Sequence, residues 1–521
     1  MELKFVHIFG PALLMIAFFL LGRGIVRKSR GQHFNALPAL LLMLLAIAAR
    51  FLWSGTGLAD AYSFINGHAG FFDRLTLLLG DFGIAMVLNA AYLAFHKQQA
   101  KLFWVPGAVV LTLSGLMYLS IVAFNAISSS FRKNPAMIEI LVELGPDDHI
   151  AEIRPILKKY HAKAERAFPN VDMDEDEDLA QFYVVYVDST LKHFLLRDLK
   201  KDRENVDDAA FNNPIDLIMP LAGEMPPKEG ESPFLANDPY LANQWYATAL
   251  DYNAVYQFLK ENKPRKKVQL AIVDTGVDGN HEDLSGIFKP SPGKQDGHGH
   301  GTHCAGLAAA ATNNQIGVGS FNWEGDYITV TGYHALDANG RGSDKTVSQA
   351  IIDAAEGGAD VISMSLGGYS PFGPPKAQKA AIDYAIKKHK AIVIVAAGNS
   401  SADAKYFSPA NIEGVIVVAA VDQNLNKASF SNTNTSLKMP IAAPGVDMIS
   451  SFPGSEYRNF SGTSMATPVV AGLVGIMRSF DPDLTPKQAH KILTSTGKEI
   501  HDADKTGNLI SPRAAIEAAA K

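Results

Sequence analysis

The sequence predicts a doubly wound, mostly parallel α/β domain over residues 234–521, preceded by an α-helical membrane region and a small α+β domain. Three observations predict it. Four short runs, Val268–Val273, Val361–Met364, Ala391–Ala396 and Val415–Ala420, have the near-continuous apolar character of strands buried on both faces. Helix-like segments such as Ser348–Glu356 and Lys376–Lys388 alternate with them, the pattern of a parallel sheet covered by helices. Long apolar stretches crowd the first quarter of the chain.

The chain of 521 residues has room for several domains, each with its own core. A net charge of −6 and a pI near 6.2 give no reason to expect a nucleic-acid partner. The single cysteine, Cys304, excludes an intrachain disulfide framework.

Residues 1–130 are expected to form four transmembrane helices, at about Phe5–Leu21, Ala36–Trp53, Leu75–Phe95 and Leu102–Ile127. Each approaches the roughly 20 apolar residues that cross a bilayer. A cleaved signal peptide in place of the first is disfavoured, because Lys4 is nearly its only leading charge and no small-residue cleavage site precedes Arg23. Arg23, Arg27, Lys28 and Arg30 fill the first loop, and Lys97 and Lys101 the third. The positive-inside bias puts those loops in the cytoplasm, hence everything after Ile127 on the extracytoplasmic side, periplasmic or extracellular.

Residues 131–213 read as strand (Ala136–Leu144), helix (Pro146–Ala167), a weak strand near Phe168–Asp172, strand (Leu179–Val187), helix (Ser189–Lys201) and strand (Asn205–Phe211). This β-α-β-β-α-β order, ahead of an α/β domain, resembles the subtilisin propeptide. The resemblance implies an intramolecular chaperone and inhibitor whose tail enters an active-site cleft before self-cleavage. The acidic run from Asp172 to Asp178 lacks the glycine and ligand spacing of an EF-hand and reads as a solvated loop. Residues 214–233, rich in Pro, Gly and Glu, are expected to be a linker, and processing between about Phe211 and Phe234 would free the catalytic domain from the membrane.

Chemistry-bearing residues then appear in a telling order. Asp274 ends the strand Val268–Val273, where doubly wound sheets carry their sites. His300 lies in Gly297-His298-Gly299-His300-Gly301-Thr302-His303, opening an Ala-rich helix. Ser464 opens the apolar helix Met465–Met477 after Gly462-Thr463. Serine is a poor nucleophile until a base takes its proton, and a histidine does so when a carboxylate fixes its tautomer.

Ala271-Ile272-Val273-Asp274-Thr275-Gly276-Val277-Asp278, His300-Gly301-Thr302-His303-Cys304-Ala305-Gly306 and Gly462-Thr463-Ser464-Met465-Ala466-Thr467-Pro468 resemble the three active-site signatures of the subtilase family. The resemblance implies a triad of Asp274, His300 and Ser464, an oxyanion donor at Asn399 in Ala396-Ala397-Gly398-Asn399-Ser400, and peptide hydrolysis through an acyl-enzyme without a catalytic cofactor. It also implies a substrate strand on Ser365, Leu366 and Gly367, an opposing wall at Gly340 and Gly342, and a substrate contact at Gly398. Phe407, just before Ser408-Pro409-Ala410, is expected to project toward the bottom of the first pocket and limit its depth. A structural Ca2+ is expected from the same likeness, held by Asp238, Asp283, the Asn314 amide and the carbonyls of Ile316 and Val318. His303 is expected to pack or hydrogen-bond locally, and Cys304 to be a small buried neighbour of His300. The expected partners are protein or peptide substrates, the bilayer and the chain's own middle domain. A membrane-embedded sensor whose protease domain is catalytically silent is the alternative.

Overall fold

The computed structural model describes Leu20 and residues 136–217, 220–225, 233–290 and 295–521. Apart from Leu20, the four expected membrane spans lie outside the described residues. No helix among the described residues is long and apolar enough to cross a membrane.

The chain first builds β1 (Met137–Leu144), α1 (Arg154–Lys159), β2 (Lys163–Arg166), α2 (Glu177–Ala180), β3 (Phe182–Asp188), α3 (Lys192–Leu199) and β4 (Val206–Phe211). The four strands form one sheet in the order β2-β3-β1-β4. The helix expected over Pro146–Ala167 is confined to α1, and the weak strand lies at Lys163–Arg166 instead of Phe168–Asp172. Phe168 and Val171 are fully buried in the core instead.

Residues 214–233, expected as a linker, carry two strands where they are described. These are β5 (Pro214–Asp216) and β6 (Leu221–Gly223). The rest of the chain forms α4 (Trp245–Ala249), α5 (Tyr252–Glu261), β7 (Val268–Asp274), α6 (His300–Ala309), β8 (Ile328–His334), β9 (Arg341–Ser343), α7 (Asp344–Glu356), β10 (Val361–Met364), β11 (Gly368–Tyr369), α8 (Lys376–Lys387) and β12 (Ile392–Ala396). Then follow β13 (Phe407–Ser408), β14 (Ile416–Val421), β15 (Pro440–Pro444), β16 (Met448–Phe452), β17 (Glu456–Ser461), α9 (Thr463–Phe480), α10 (Pro486–Thr496), α11 (Ala503–Thr506) and α12 (Pro512–Ala519).

Six strands make a parallel sheet in the order β15-β14-β12-β10-β7-β8. Every residue of β7, β10, β12 and β14 is buried, which explains their unbroken apolar sequences. One face packs on α5, α6, α9 and α12 and the other on α7 and α8. The 18-residue α9 is buried along its whole length, and each fully buried Val, Leu or Ile contributes about 1.5–3 kcal/mol. From β7 the chain moves to β8 on one side, then returns to build β10, β12, β14 and β15 on the other. Strand order therefore reverses at β7, and the crevice beyond the carboxyl ends of β7 and β10 is where such sheets bind ligands.

The small sheet shares a core with this domain. Leu141, Ala167, Phe168, Leu179, Phe182 and Val184 pack into the cluster formed by α7 and α8. The junction is also polar: Asn212 Oδ1 accepts from the Lys345 N–H, and the Asp344 N–H donates to the Asn213 carbonyl. Both bonds satisfy amides in the first turn of α7, which otherwise lack partners.

Candidate active site

Asp274 closes β7 and His300 opens α6, and the structure joins them. His300 Nδ1 lies 2.8 Å from Asp274 Oδ1 and 2.9 Å from Oδ2, with both side chains fully buried. Burial disfavours the imidazolium, but the Asp274 carboxylate outweighs it and holds His300 well above the ordinary histidine range. Nδ1 thus carries the proton toward Asp274, leaving Nε2, which is buried without a hydrogen-bond partner.

Ser464 occupies the second position of α9, where free amide groups favour negative charge. Its hydroxyl does not bond to His300. It donates to the Ser365 carbonyl at 3.2 Å, at the end of β10. Pro468 explains how Ser464 is held: it has no N–H, so the Ser464 carbonyl four residues back loses its helical donor. Ser365 Oγ donates to that carbonyl at 2.8 Å and the Cys304 thiol lies 3.5 Å from it. The nucleophile's backbone is therefore pinned. Burial pushes the Cys304 thiol up from its ordinary pKa, so it is a neutral packing group.

Asn399 follows β12. Its Oδ1 accepts from the Thr463 N–H at 2.9 Å and from Thr463 Oγ1 at 2.8 Å. Because both partners donate, the amide orientation is settled and Nδ2 faces away from them. Ser365, Leu366, Gly367, Gly398, Asn399, Phe407 and Ser464 line one pocket, bringing the expected strand, oxyanion segment and nucleophile together.

Gly340 and Gly342 face residues of the expected linker. β5 pairs antiparallel with β9, with Ile215 opposite Gly342, and the Leu217 N–H donates to the Gly340 carbonyl at 2.8 Å. Beyond it, β6 pairs antiparallel with β17, with Leu221 opposite Ser461. Pro220 sits beside Gly462, two residues before Ser464. The chain's own backbone therefore approaches the Ser464 region along one strand and leaves it along another.

The subtilase family's sequence model matches residues 265–511. Thermitase of Thermoactinomyces vulgaris is 40% identical over 253 residues, 47% of this chain and 86% of the relative. The chain belongs to the subtilase family. Subtilisin DY of Bacillus licheniformis is 36% identical over 261 residues, covering 48% of this chain and 91% of the relative. Fervidolysin from Fervidobacterium pennivorans, a keratinolytic enzyme related to subtilisin, shares the fold with a TM-score of 0.58 at 24% identity, over 74% of this chain and 62% of that one. The protein is thus a subtilisin-like serine endopeptidase.

Two residues of this subtilase that the sequence analysis passed over organise the site. Asp296 Oδ1 accepts from Thr275 Oγ1, His298 N and Gly299 N at 2.8–3.0 Å, and Oδ2 accepts from Thr302 N and Oγ1 at 2.9 and 2.7 Å. It clamps the His300 loop to the end of β7. Asn432 does the same for the Asn399 loop: Oδ1 accepts from Ser400 N and Ala402 N, and Nδ2 donates to the Ala397 carbonyl. The sequence signal for Asp296 was a carboxylate four residues ahead of a helix, whereas nothing local marks Asn432. His303 is buried, hydrogen-bonded to the Arg458 carbonyl and packed against the Phe460 ring at a tilt of 34°, and burial lowers its pKa to about 3. It stays neutral and structural.

The Phe407 ring approaches Gly398 in the pocket wall and meets Tyr369 edge-on at 5.5 Å. Phe407→Ala is expected to raise kcat/KM for substrates with a large aromatic residue before the cut, relative to alanine there, by about tenfold. Paired peptide substrates measure this, and an unchanged ratio removes Phe407 from the pocket's selectivity.

The expected cation ligands converge on one loop. Asp238 accepts from Asn313 N and Asn314 N at 2.9 and 3.3 Å, and Asp283 from Val318 N at 2.9 Å. Burial pushes Asp238 up to about 6 and Asp283 up to about 7, with no ion pair to either among the described residues. Two desolvated carboxylates on one loop suit a hard, oxygen-seeking cation. Asn314 is turned the other way from expectation: Oδ1 accepts from Ile316 N at 2.8 Å and Nδ2 points toward Asp283 at 3.4 Å. That orientation lets an N–H offset the Asp283 charge, and a cation there would invert the amide.

Proposed function

We propose that this subtilase is a membrane-anchored, autoprocessed endopeptidase in which Ser464 attacks the peptide carbonyl. His300 Nε2 takes the Ser464 proton, and Asp274 holds the Nδ1–H and stabilises the imidazolium. Asn399 Nδ2 and the Ser464 N–H at the start of α9 bind the developing oxyanion. Collapse of the tetrahedral intermediate breaks the C–N bond, and His300 returns the proton to the leaving amine. Water then hydrolyses the acyl-enzyme by the same relay in reverse order.

The observation that carries this reading is the antiparallel pairing of residues 214–216 with β9 and of residues 221–223 with β17, with Pro220 beside Gly462, two residues before Ser464. Extended pairing with a sheet edge is how proteases hold substrate. The first substrate is then the chain itself, cut between Leu217 and Pro220, a narrower window than the whole of residues 214–233. Residues 131–213 serve as the intramolecular inhibitor, supported by their shared core with α7 and α8. The four apolar stretches of residues 1–130 support a bilayer anchor with the protease outside the cytoplasm, and the cut ends the covalent tie.

The test compares wild type with Ser464→Ala during expression in membranes. Wild type is expected to label with a fluorophosphonate and to gain an amino terminus within residues 218–220, while Ser464→Ala stays full length in the membrane fraction. If wild type neither labels nor degrades casein, the silent sensor replaces this reading.

A structural Ca2+ at Asp238, Asp283, Asn314 and the carbonyls of Ile316 and Val318 belongs to the same proposal. Both carboxylates titrate above the ordinary value of 3.8, so the folded chain binds more protons than the unfolded chain between about pH 4 and 7. Without a divalent cation, stability contributed by these groups is greatest below pH 4 and is lost as pH rises through 7. A cation binds the ionised pair, so its stabilising effect grows over the same interval, reaching about 2.7 kcal/mol when its concentration is a hundredfold above Kd. Thermal unfolding with calcium and with chelator is expected to differ more at pH 8 than at pH 5. Equal differences at both remove these carboxylates from the site.

A further inference from the structure

The strand that leaves Ser464 is held over a longer distance than a cut requires. β17 is paired with β16 on one side, and its other edge takes β6, with Leu221 opposite Ser461, Ala222 opposite Phe460 and Gly223 opposite Asn459. Asn459 Nδ2 extends the track by donating to the Glu224 carbonyl at 3.0 Å. Asn459 is 7% exposed, and its Oδ1 is buried without a partner. The side chains of Leu221 and Ala222 face solvent. Gly223 differs: a Cβ there would lie 2.7 Å from Asn459 Nδ2 and 3.1 Å from Asp447 Oδ1. The amide cannot withdraw without giving up its bond to the Glu224 carbonyl.

We propose that the outer edge of β17 is a leaving-group-side substrate track, and that Asn459 makes it select glycine at the position held by Gly223. The proposal rests on the reading of Ser464 as nucleophile. Its substrate class is extended polypeptide continuing at least four residues past the cut, with little side-chain selection until the glycine. Backbone pairing supplies affinity at the two exposed positions, and steric exclusion supplies the choice at the third. An enzyme of this kind cuts within exposed, glycine-containing segments and works poorly near carboxyl termini.

The test uses enzyme matured from the full chain and three quenched peptides: residues 213–221, residues 213–225, and residues 213–225 with valine replacing Gly223. The long native peptide is expected to have kcat/KM about tenfold above the short one, as two or three added backbone hydrogen bonds imply. Valine is expected to abolish that gain, and Asn459→Ala enzyme to cut the valine and glycine peptides at similar rates. In the full chain, Gly223→Val is expected to slow self-processing and Gly223→Val with Asn459→Ala to restore it. Equal kcat/KM for short and long peptides overturns the track. A valine penalty that persists in Asn459→Ala overturns the assigned selectivity. Failure to cut any peptide together with no fluorophosphonate labelling overturns the nucleophile assignment first, and the track with it.

Discussion

Ser464→Ala is expected to lower kcat by roughly 10⁶, the size known for the equivalent change in a subtilisin, a relative of this chain. The loss is large because the remaining groups act only through the nucleophile. His300 Nε2 is buried and has no hydrogen-bond partner among the described residues. Cys304 is close, 3.9 Å from His300 Nδ1, but that nitrogen faces Asp274 and the thiol is held neutral by burial. The residual rate is expected to reflect binding and oxyanion stabilisation alone. Active-site titration with a fluorophosphonate, followed by burst kinetics on a peptide ester, measures the change. A variant within tenfold of wild type rules out Ser464. The fold is expected to survive, because the Ser464 hydroxyl makes a single bond, to the Ser365 carbonyl, whereas α9 is held by its apolar burial.

Asp274→Asn is expected to cost about 10⁴ in kcat, the order found when the corresponding aspartate of other serine proteases becomes asparagine. The amide donates where the carboxylate accepted, so His300 takes the tautomer with its proton on Nε2 and cannot receive one from Ser464. The pH profile gives an independent signature. In wild type the carboxylate holds the imidazolium above the ordinary 6.5, so kcat/KM rises with pH through an ionisation above that value. In Asp274→Asn the largest influence that opposes burial is gone, and the limb moves to lower pH. A profile that stays in place while activity falls would assign Asp274 a purely structural role.

Much of the site was legible because its motifs are local. Ala271 to Asp278, His300 to Gly306 and Gly462 to Pro468 each place a functional group beside the turn or helix start that exposes it. The central strands were legible for another reason: burial on both faces demands uninterrupted apolar residues. Other buried strands carry a weaker pattern. β8 reads Ile-Thr-Val-Thr-Gly-Tyr-His, whose alternation stops at Gly332, and β15 reads Pro-Ile-Ala-Ala-Pro, a short run between prolines. β2, Lys-Ala-Glu-Arg, has no strand preference and is extended only because β3 pairs with it.

The sequence by itself determined the chemistry: a carboxylate at a strand end, a histidine and a serine at helix starts, and an amide in a glycine turn, all within short covalent reach of what exposes them. Tertiary structure alone decided that residues 214–223 lie as strands along β9 and β17 and not as a free linker. Asn459 and Glu224, which join there, are 235 positions apart. Tertiary structure also decided that the Ser464 hydroxyl turns to Ser365, that Asp296 and Asn432 brace the two loops, and that Asn314 faces Asp283 through its nitrogen. These outcomes depend on which donors and acceptors meet once the sheet has formed, and residue spacing along the chain carries no information about that meeting.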